Sequence, residues 1–373
     1  MNQPVTIIGI EHHNTLSMIR DFGQNNIPVE LISYGMSNTY ISTSKYIVRS
    51  YHVESASQAV SKLKQVILES NYKPVVITCT DEIAALIDFN YNEFRDTCYC
   101  FNAGEVGRLS YYMSKFMQSE LASQSGFLVP NMKEGLPLTI DTQSIQLPCL
   151  IKPKESIHGG KQFYICRRRD ELTKSLKNFN PKYEVLVQDY VEKDYEIVIL
   201  GLSINGNHII PGYVKKHRDY KGGTTYCTTY DCSSIPQEIL DACIKMLTAI
   251  RYSGLWGIEC IIKDNKYYFI ELNLRNDATT YAISKAGTDL PLMFYNFCLQ
   301  KGSEKNTKVR KIDAMIEFGD FNFVLKLKVS PLVWFRQYRK CECLYYKDET
   351  DIVPYKIQLK KYLRFLRKRI LKV

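Results

Sequence analysis

The spacing of apolar and polar residues changes along this chain. Val5–Ile10 reads as a first buried strand, and Leu16, Ile19, Phe22 and Gly23 then recur at helical spacing. Val29–Ser33 is a second strand. Ser55–Ser70 predicts a helix with Val60, Leu63 and Ile67 on one face. Val75–Thr78 is a short β-branched strand, and Asp81 is placed to cap a helix over Glu82–Phe94. Strand and helix alternate in this way up to about residue 110, which implies a parallel sheet with right-handed crossovers.

The second part reads differently. Ser110–Ser125 predicts a helix that carries Lys115 and is stopped by Gly126, with Pro130 beyond. Pro148–Pro153 is a strand with Lys152 near its end. Glu155–Lys161 is a loop whose paired Gly159 and Gly160 let backbone N–H groups turn toward an anion. Alone, such a Gly-Gly is a weak motif, usually just the turn of a hairpin. Tyr183–Glu192 is a strand running into a polar turn, and Tyr195–Leu202, His208–Lys216 and Thr224–Thr229 continue as an antiparallel sheet. Pro236–Tyr252 predicts a helix whose Ile239, Cys243, Leu247 and Ile250 form a core stripe. Thr279–Gly287 and Pro291–Leu299 are further helices. The fold class is thus α/β, with α+β character in the C-terminal half.

The densest chemistry lies in Gly257–Asp277. Two strands flank a short turn, with Glu259 on the first and Glu271, Asn273 and Arg275 on the second. Ile270, Leu272 and Leu274 alternate with the polar three, so period two puts the polar set on one face. A two-residue turn at Asp264-Asn265 would pair Glu259 with Ile270 and send the two glutamates to opposite faces. A three-residue turn ending at Lys266 would pair Glu259 with Glu271. Facing carboxylates repel unless a cation lies between them. Hard Mg²⁺ takes oxygen ligands from one or two carboxylates plus substrate phosphates, and a neighbouring Arg can hold an oxyanion. The bland alternative is a solvated hairpin with scattered charges.

This pattern resembles the metal-binding strands of the ATP-grasp superfamily: a Glu, then a strand ending Glu-x-Asn-x-Arg. The family often has Pro before the Arg, where this chain has Leu274, a departure that touches no ligand. The run Arg275–Pro291 looks like the D-aspartate ligase-like branch. The resemblance spans about residues 5 to 300 and implies a Rossmann-like N-terminal lobe, residues 1–109, before an ATP-grasp domain, residues 110–302. Within that domain, about 148–190 would form a small nucleotide-binding lobe and about 191–302 a metal-binding lobe, with ATP sandwiched between them. Residues 303–373 would be a C-terminal extension.

The resemblance also assigns residues. Glu259, Glu271 and Asn273 would hold Mg²⁺ or Mn²⁺. Lys115 and Lys152 match the nucleotide-binding lysines, and Gly159 and Gly160 the glycine-rich loop. Backbone groups of Gln188, Asp189 and Val191 would meet the adenine edge, and either Asp194 or Glu196 the ribose. Arg275, Arg218 and Lys215 would stabilise the transferred phosphate and the acceptor carboxylate. His217, in the same basic cluster, reads as structural. The implied partners are ATP, a carboxylate and an amine, the amine an amino acid, and the implied state is a homodimer. The implied reaction is ADP-forming amide-bond synthesis through an acyl phosphate, in cell-envelope or polysaccharide precursor synthesis. Two other readings are a nucleotide-binding scaffold and a phosphotransferase that stops at a phosphorylated product.

Composition narrows the field. There is no Gly-x-Gly-x-x-Gly after the first strand, only Gly9-Ile-Glu-His-His-Asn14, so a dinucleotide role is not expected. The 12 Cys show neither Cys-x-x-Cys spacing nor a nearby His, which excludes a simple zinc site. No membrane span or signal peptide is read, and the expected location is cytoplasmic. The formal charge is +10, yet residues 351–373 hold eight Lys/Arg against one acid, so the remainder carries only +3. A near-neutral body is not that of a nucleic-acid enzyme. Leu359, Leu363, Leu366 and Ile370 give this basic tail a helical stripe. It fits either an interfacial helix at the inner face of an anionic membrane or a terminal helix docked on the body.

Overall fold

The computed structural model describes residues 2–36, 40–154, 163–220, 223–302 and 307–370. The Gly159-Gly160 pair lies outside them. Three sheets organise the chain. The first is a parallel sheet of β1 (Val5–Gly9), β2 (Val29–Tyr34), β3 (Ile47–Val53) and β4 (Val75–Thr78), in the order β3-β2-β1-β4. β1, β2 and β4 are buried throughout, which explains their continuous apolar runs. β3 was not foreseen: it is an edge strand, largely exposed and polar, so no apolar period marks it.

Two helix starts differ from expectation. Thr80, not Asp81, caps the helix Asp81–Phe89: its hydroxyl accepts the Ile83 N–H at 3.4 Å. Asp81 is the first helical residue, where its charge suits the helix dipole. The expected Ser110–Ser125 helix is two helices, Arg108–Tyr112 and Lys115–Ser125, separated by an extended Ser114.

The second sheet is small and antiparallel. It holds β5 (Met132–Gly135), β6 (Cys149–Pro153), β7 (Tyr164–Cys166) and β8 (Val185–Asp189), in the order β5-β8-β6-β7. The third has seven strands. β9 (Tyr195–Ile204), β10 (Asn207–Tyr220), β11 (Gly223–Asp231), β12 (Gly254–Lys263) and β13 (Lys266–Asn273) are joined by β14 (Asp313–Met315) and β15 (Cys343–Leu344). The order is β13-β12-β9-β10-β11-β14-β15.

The C-terminal part thus completes this sheet. It is also locked to the N-terminal lobe. Arg20, fully buried, donates to Asp351 Oδ2 at 3.0 Å and to the carbonyls of Tyr345, Tyr346 and Asp351 at 2.9–3.0 Å. The last helix, Ile352–Ile370, is docked through Tyr355, whose ring stacks on Phe318, and through Lys361, which pairs with Glu11 at 2.5 Å.

Candidate active site

Two irregularities decide which side chains meet. The β12–β13 turn has two residues, Asp264 and Asn265, both left-handed with φ of 48° and 57°. By itself that turn would separate the glutamates. A bulge at Ile270 shifts the register by one, so Glu259 pairs with Glu271 and Gly257 with Asn273. On β9–β10 the turn pairs Ile204 with Asn207, and a second bulge between Ile209 and Gly212 again shifts the register. Lys216 then lies opposite Glu196. Glu196, Val198, Lys216, Glu259 and Glu271 consequently share one face of the sheet.

That face is charged and partly enclosed. Lys216 Nζ donates to Glu259 Oε2 at 2.5 Å and lies 3.5 Å from Glu196 Oε2. Burial works against the ammonium, but Glu259 and Glu196 outweigh it and hold Lys216 above its ordinary range. Burial raises the Glu259 carboxyl; Lys216 pulls it back, while Glu271 and Asp277 push it up.

The donor set fits a divalent cation that keeps part of its shell for phosphates. It offers the facing Glu259 and Glu271 carboxylates and the buried Asn273 amide. Among the described residues no three His, Cys, Asp or Glu side chains form a self-sufficient metal cage.

Arg275 follows the strand and bridges the lobes. It donates to Asn273 Oδ1 at 2.9 Å and pairs with Asp81 at 3.0 Å, at the start of the helix after β4. Asp277 accepts from Asn273 Nδ2 at 3.2 Å and from the Thr279 N–H and hydroxyl at 2.8 and 2.6 Å. Asn14 donates to the carbonyls of Cys79 and Asn276, both at 3.1 Å. β13 therefore ends in the crevice at the carboxyl ends of β1 and β4, where open α/β sheets bind ligands.

From the small sheet, Lys152 comes within electrostatic reach of both Lys115 and Glu271. Burial first, then the Lys115 ammonium, lowers Lys152 to about 8, against an upward pull from Glu271. Gln118, on the helix that starts at Lys115, pins β13 by exchanging two hydrogen bonds with the Leu272 backbone at 2.8 and 2.9 Å. Anionic phosphates favour a charged Lys152. Nucleotide binding is therefore expected to take up protons near pH 8 and to weaken as pH rises past it. Calorimetry of ADP binding in buffers of different ionisation heat checks this; the uptake should vanish in Lys152→Met.

Other expected residues lie elsewhere. Lys215 projects to the opposite face, where its ammonium stands 3.6 Å from the Tyr195 ring centre; Lys216 takes the place expected of it. Arg218 is held by the buried Asp320 at 2.7 Å and by Gln337 at 2.9 Å, so it fastens the C-terminal part to β10. His217 bonds Thr228 at 2.7 Å. Gln188 pairs on both sides of its strand, and the Asp189 N–H donates to Asn131 O at 2.9 Å, so these backbones are largely committed. Val191 sits in the linker beyond the ladder. Asp194 caps the β12–β13 turn, accepting from Lys263 at 3.1 Å and from the Asp264 N–H at 2.9 Å, whereas Glu196 faces the site. Lys216, Asp277 and Gln118 were not singled out from sequence, and Asp81 was read only as a helix cap. Their roles depend on register and on contacts distant along the chain.

A family model described as an ATP-grasp domain matches residues 118–287, which include Lys152, Glu259, Glu271, Asn273 and Arg275. Residues 118–287 are thus similar to an ATP-grasp domain. Its sequence is 28% identical over 145 residues to the formate-dependent phosphoribosylglycinamide formyltransferase of Wolinella succinogenes, covering 36% of this chain and 35% of that protein. The chain spans well under half the length of the curated relatives it matches. Among solved structures, the chain shares its fold with the ADP complex of N5-carboxyaminoimidazole ribonucleotide synthetase. The TM-score is 0.67 and identity 13%, over 88% of this chain and 86% of that one. It also shares the fold of the L-amino acid ligase from Bacillus licheniformis, with TM-score 0.64 and 13% identity over 85% of this chain and 80% of that one.

Proposed function

We propose that this chain is an ATP-dependent ligase that activates a carboxylate as an acyl phosphate and joins it to an amine. The observation that supports this reading best is the meeting of Glu259, Glu271 and Asn273 with Lys152, Lys115 and Arg275 at the lobe junction. A divalent cation, Mg²⁺ or Mn²⁺, held by Glu259, Glu271 and Asn273 supplies neutralisation of the nucleotide phosphates. Lys152 and Lys115 bind and orient those phosphates. Lys216 keeps Glu259 and Glu196 paired and would contact the transferred group. Arg275 stabilises the oxyanion at the acyl centre.

In the first step a carboxylate oxygen forms a bond to the γ-phosphorus, and the bond to the bridging oxygen breaks, releasing ADP. In the second the amine nitrogen bonds to the acyl carbon, the carbon–oxygen bond breaks, and phosphate leaves as the amine gives up a proton. The retained charged set argues against a non-catalytic scaffold. The amine is an amino acid on this reading, the class named for the Bacillus licheniformis enzyme of the same fold. The test uses a carboxylate labelled with ¹⁸O. One label passes into inorganic phosphate if an amine displaces an acyl phosphate. Label retained in a phosphorylated product, with no need for an amine, would establish a phosphotransferase instead.

No helix among the described residues is long and apolar enough to cross a membrane. A peripheral contact with anionic lipid is nevertheless part of this proposal, and suits a carboxylate on an envelope or polysaccharide precursor. Leu332, Val333 and Phe335 are exposed on the helix Pro331–Lys340, beside Arg336, Arg339 and Lys340. Leu363 and Phe365 are exposed on the basic last helix. The double variant Leu332→Asp, Phe335→Asp is expected to lose sedimentation with phosphatidylglycerol vesicles while keeping nucleotide binding; unchanged sedimentation contradicts the contact.

A further inference from the structure

A second cavity lies where the N-terminal lobe meets the far end of the seven-stranded sheet. β9 runs from Tyr195, near the charged face, to Ile204, which lines this cavity. The cavity has a volume of about 540 Å³, within the range of small-molecule sites. One wall is the segment Cys98–Asn102, fixed to the sheet by Asn102 and Ser253, which exchange backbone hydrogen bonds at 2.9 and 2.8 Å. The other walls are the β9–β10 turn at Asn205 and the end of the helix Leu290–Cys298.

Its lining is cationic. Lys73, Arg95 and Lys301 contribute, and among the described residues no Asp or Glu does. Arg95 pairs with Asp96 at 3.3 Å, but the two lysines meet neutral acceptors. Lys73 Nζ donates to the Arg95 carbonyl at 3.1 Å and Lys301 Nζ to Asn2 Oδ1 at 3.2 Å. Two thiols in the wall add no negative charge: burial pushes Cys298 up to about 12, and the hydrogen bond with Cys100, followed by burial, holds Cys98 higher still.

The lining is also aromatic. Tyr91, Tyr99, Phe294 and Phe297 present rings, and Phe297 is half exposed at the surface. Asn205 and Gln300 add side-chain amides. Cations without a carboxylate suit a phosphate that carries no divalent metal, while rings beside amides suit a flat heterocycle. We propose that this cavity is a second ligand site, separate from the ATP-dependent centre, that binds a nucleoside monophosphate or a molecule of that chemical class. The ligand would touch both the N-terminal lobe and the β9–β10 turn, so its occupancy would brace one against the other.

The test is calorimetric titration of AMP, GMP, CMP and UMP into the full chain with Mg-ADP present in saturating amount. At least one of the four is expected to bind with one-to-one stoichiometry. Its affinity should fall at least tenfold in the double variant Lys73→Glu, Lys301→Glu, with Mg-ADP affinity changed less than twofold. Phe297→Ala, at the surface, should weaken the same ligand several-fold, and decides the matter if the double variant does not fold. Failure of all four to bind, or binding unaltered in the folded variants, overturns the proposal. Neither result bears on ligase activity, which is read separately as ADP release.

Discussion

Replacing Glu271 by glutamine is expected to lower ATP turnover by about 10²–10³-fold, the scale seen when one group aimed at developing charge is removed. The substitution keeps size and shape but deletes one of the two carboxylates that face each other across β12 and β13. Glu259 would remain, already shared with Lys216 at 2.5 Å, and the cation would lose a charged ligand. Stability should hold or rise slightly, because Glu271 is one of the groups that raise Glu259 by repulsion. Steady-state ADP release alongside a thermal melt checks both halves. A variant that melts like the parent and turns over at an undiminished rate would remove Glu271 from the metal set.

The second large effect concerns stability. Arg20→Met should cost about 3–5 kcal/mol, the penalty for breaking a buried ion pair by removing one partner. Asp351 would stay buried with only Ser44 Oγ at 2.9 Å and the Lys45 N–H at 3.1 Å to satisfy it. The carbonyls of Tyr345 and Tyr346 would lose their donor as well. Because these groups tie the C-terminal part to the N-terminal lobe, urea unfolding should begin earlier and protease should cut near residues 345–351 first. A midpoint matching that of the parent protein contradicts this account of how the two ends are joined.

Much of the fold follows from patterns that repeat. The buried runs of β1, β2 and β4 and the core stripe ending at Ile250 were legible because burial imposes a period on the sequence. The Glu-x-Asn-x-Arg strand was legible because charge on one face of a strand is unusual. What pattern alone could not supply was register. The β9–β10 turn, continued without interruption, would pair Lys215 with Glu196; the bulge before Gly212 puts Lys216 there instead. The bulge at Ile270 likewise lets a two-residue turn coexist with facing glutamates. A one-residue slip moves every later side chain to the other face, so each bulge settles which groups reach the site. Arg218 misled for a different reason: its partner Asp320 lies far along the chain, where local sequence offers no signal.

On the proposed reading, the Glu259–Glu271 face binds Mg-ATP and uses it to join a carboxylate to an amine. The most direct measurement is ADP release by the full chain with Mg-ATP, across a panel of L- and D-amino acids combined with candidate carboxylates, with Glu271→Gln in parallel. The account predicts release that requires one carboxylate and one amine, needs the divalent cation, and is lost in the variant. Absence of ATP binding, or release that is indifferent to Glu271 and to the cation, would contradict it.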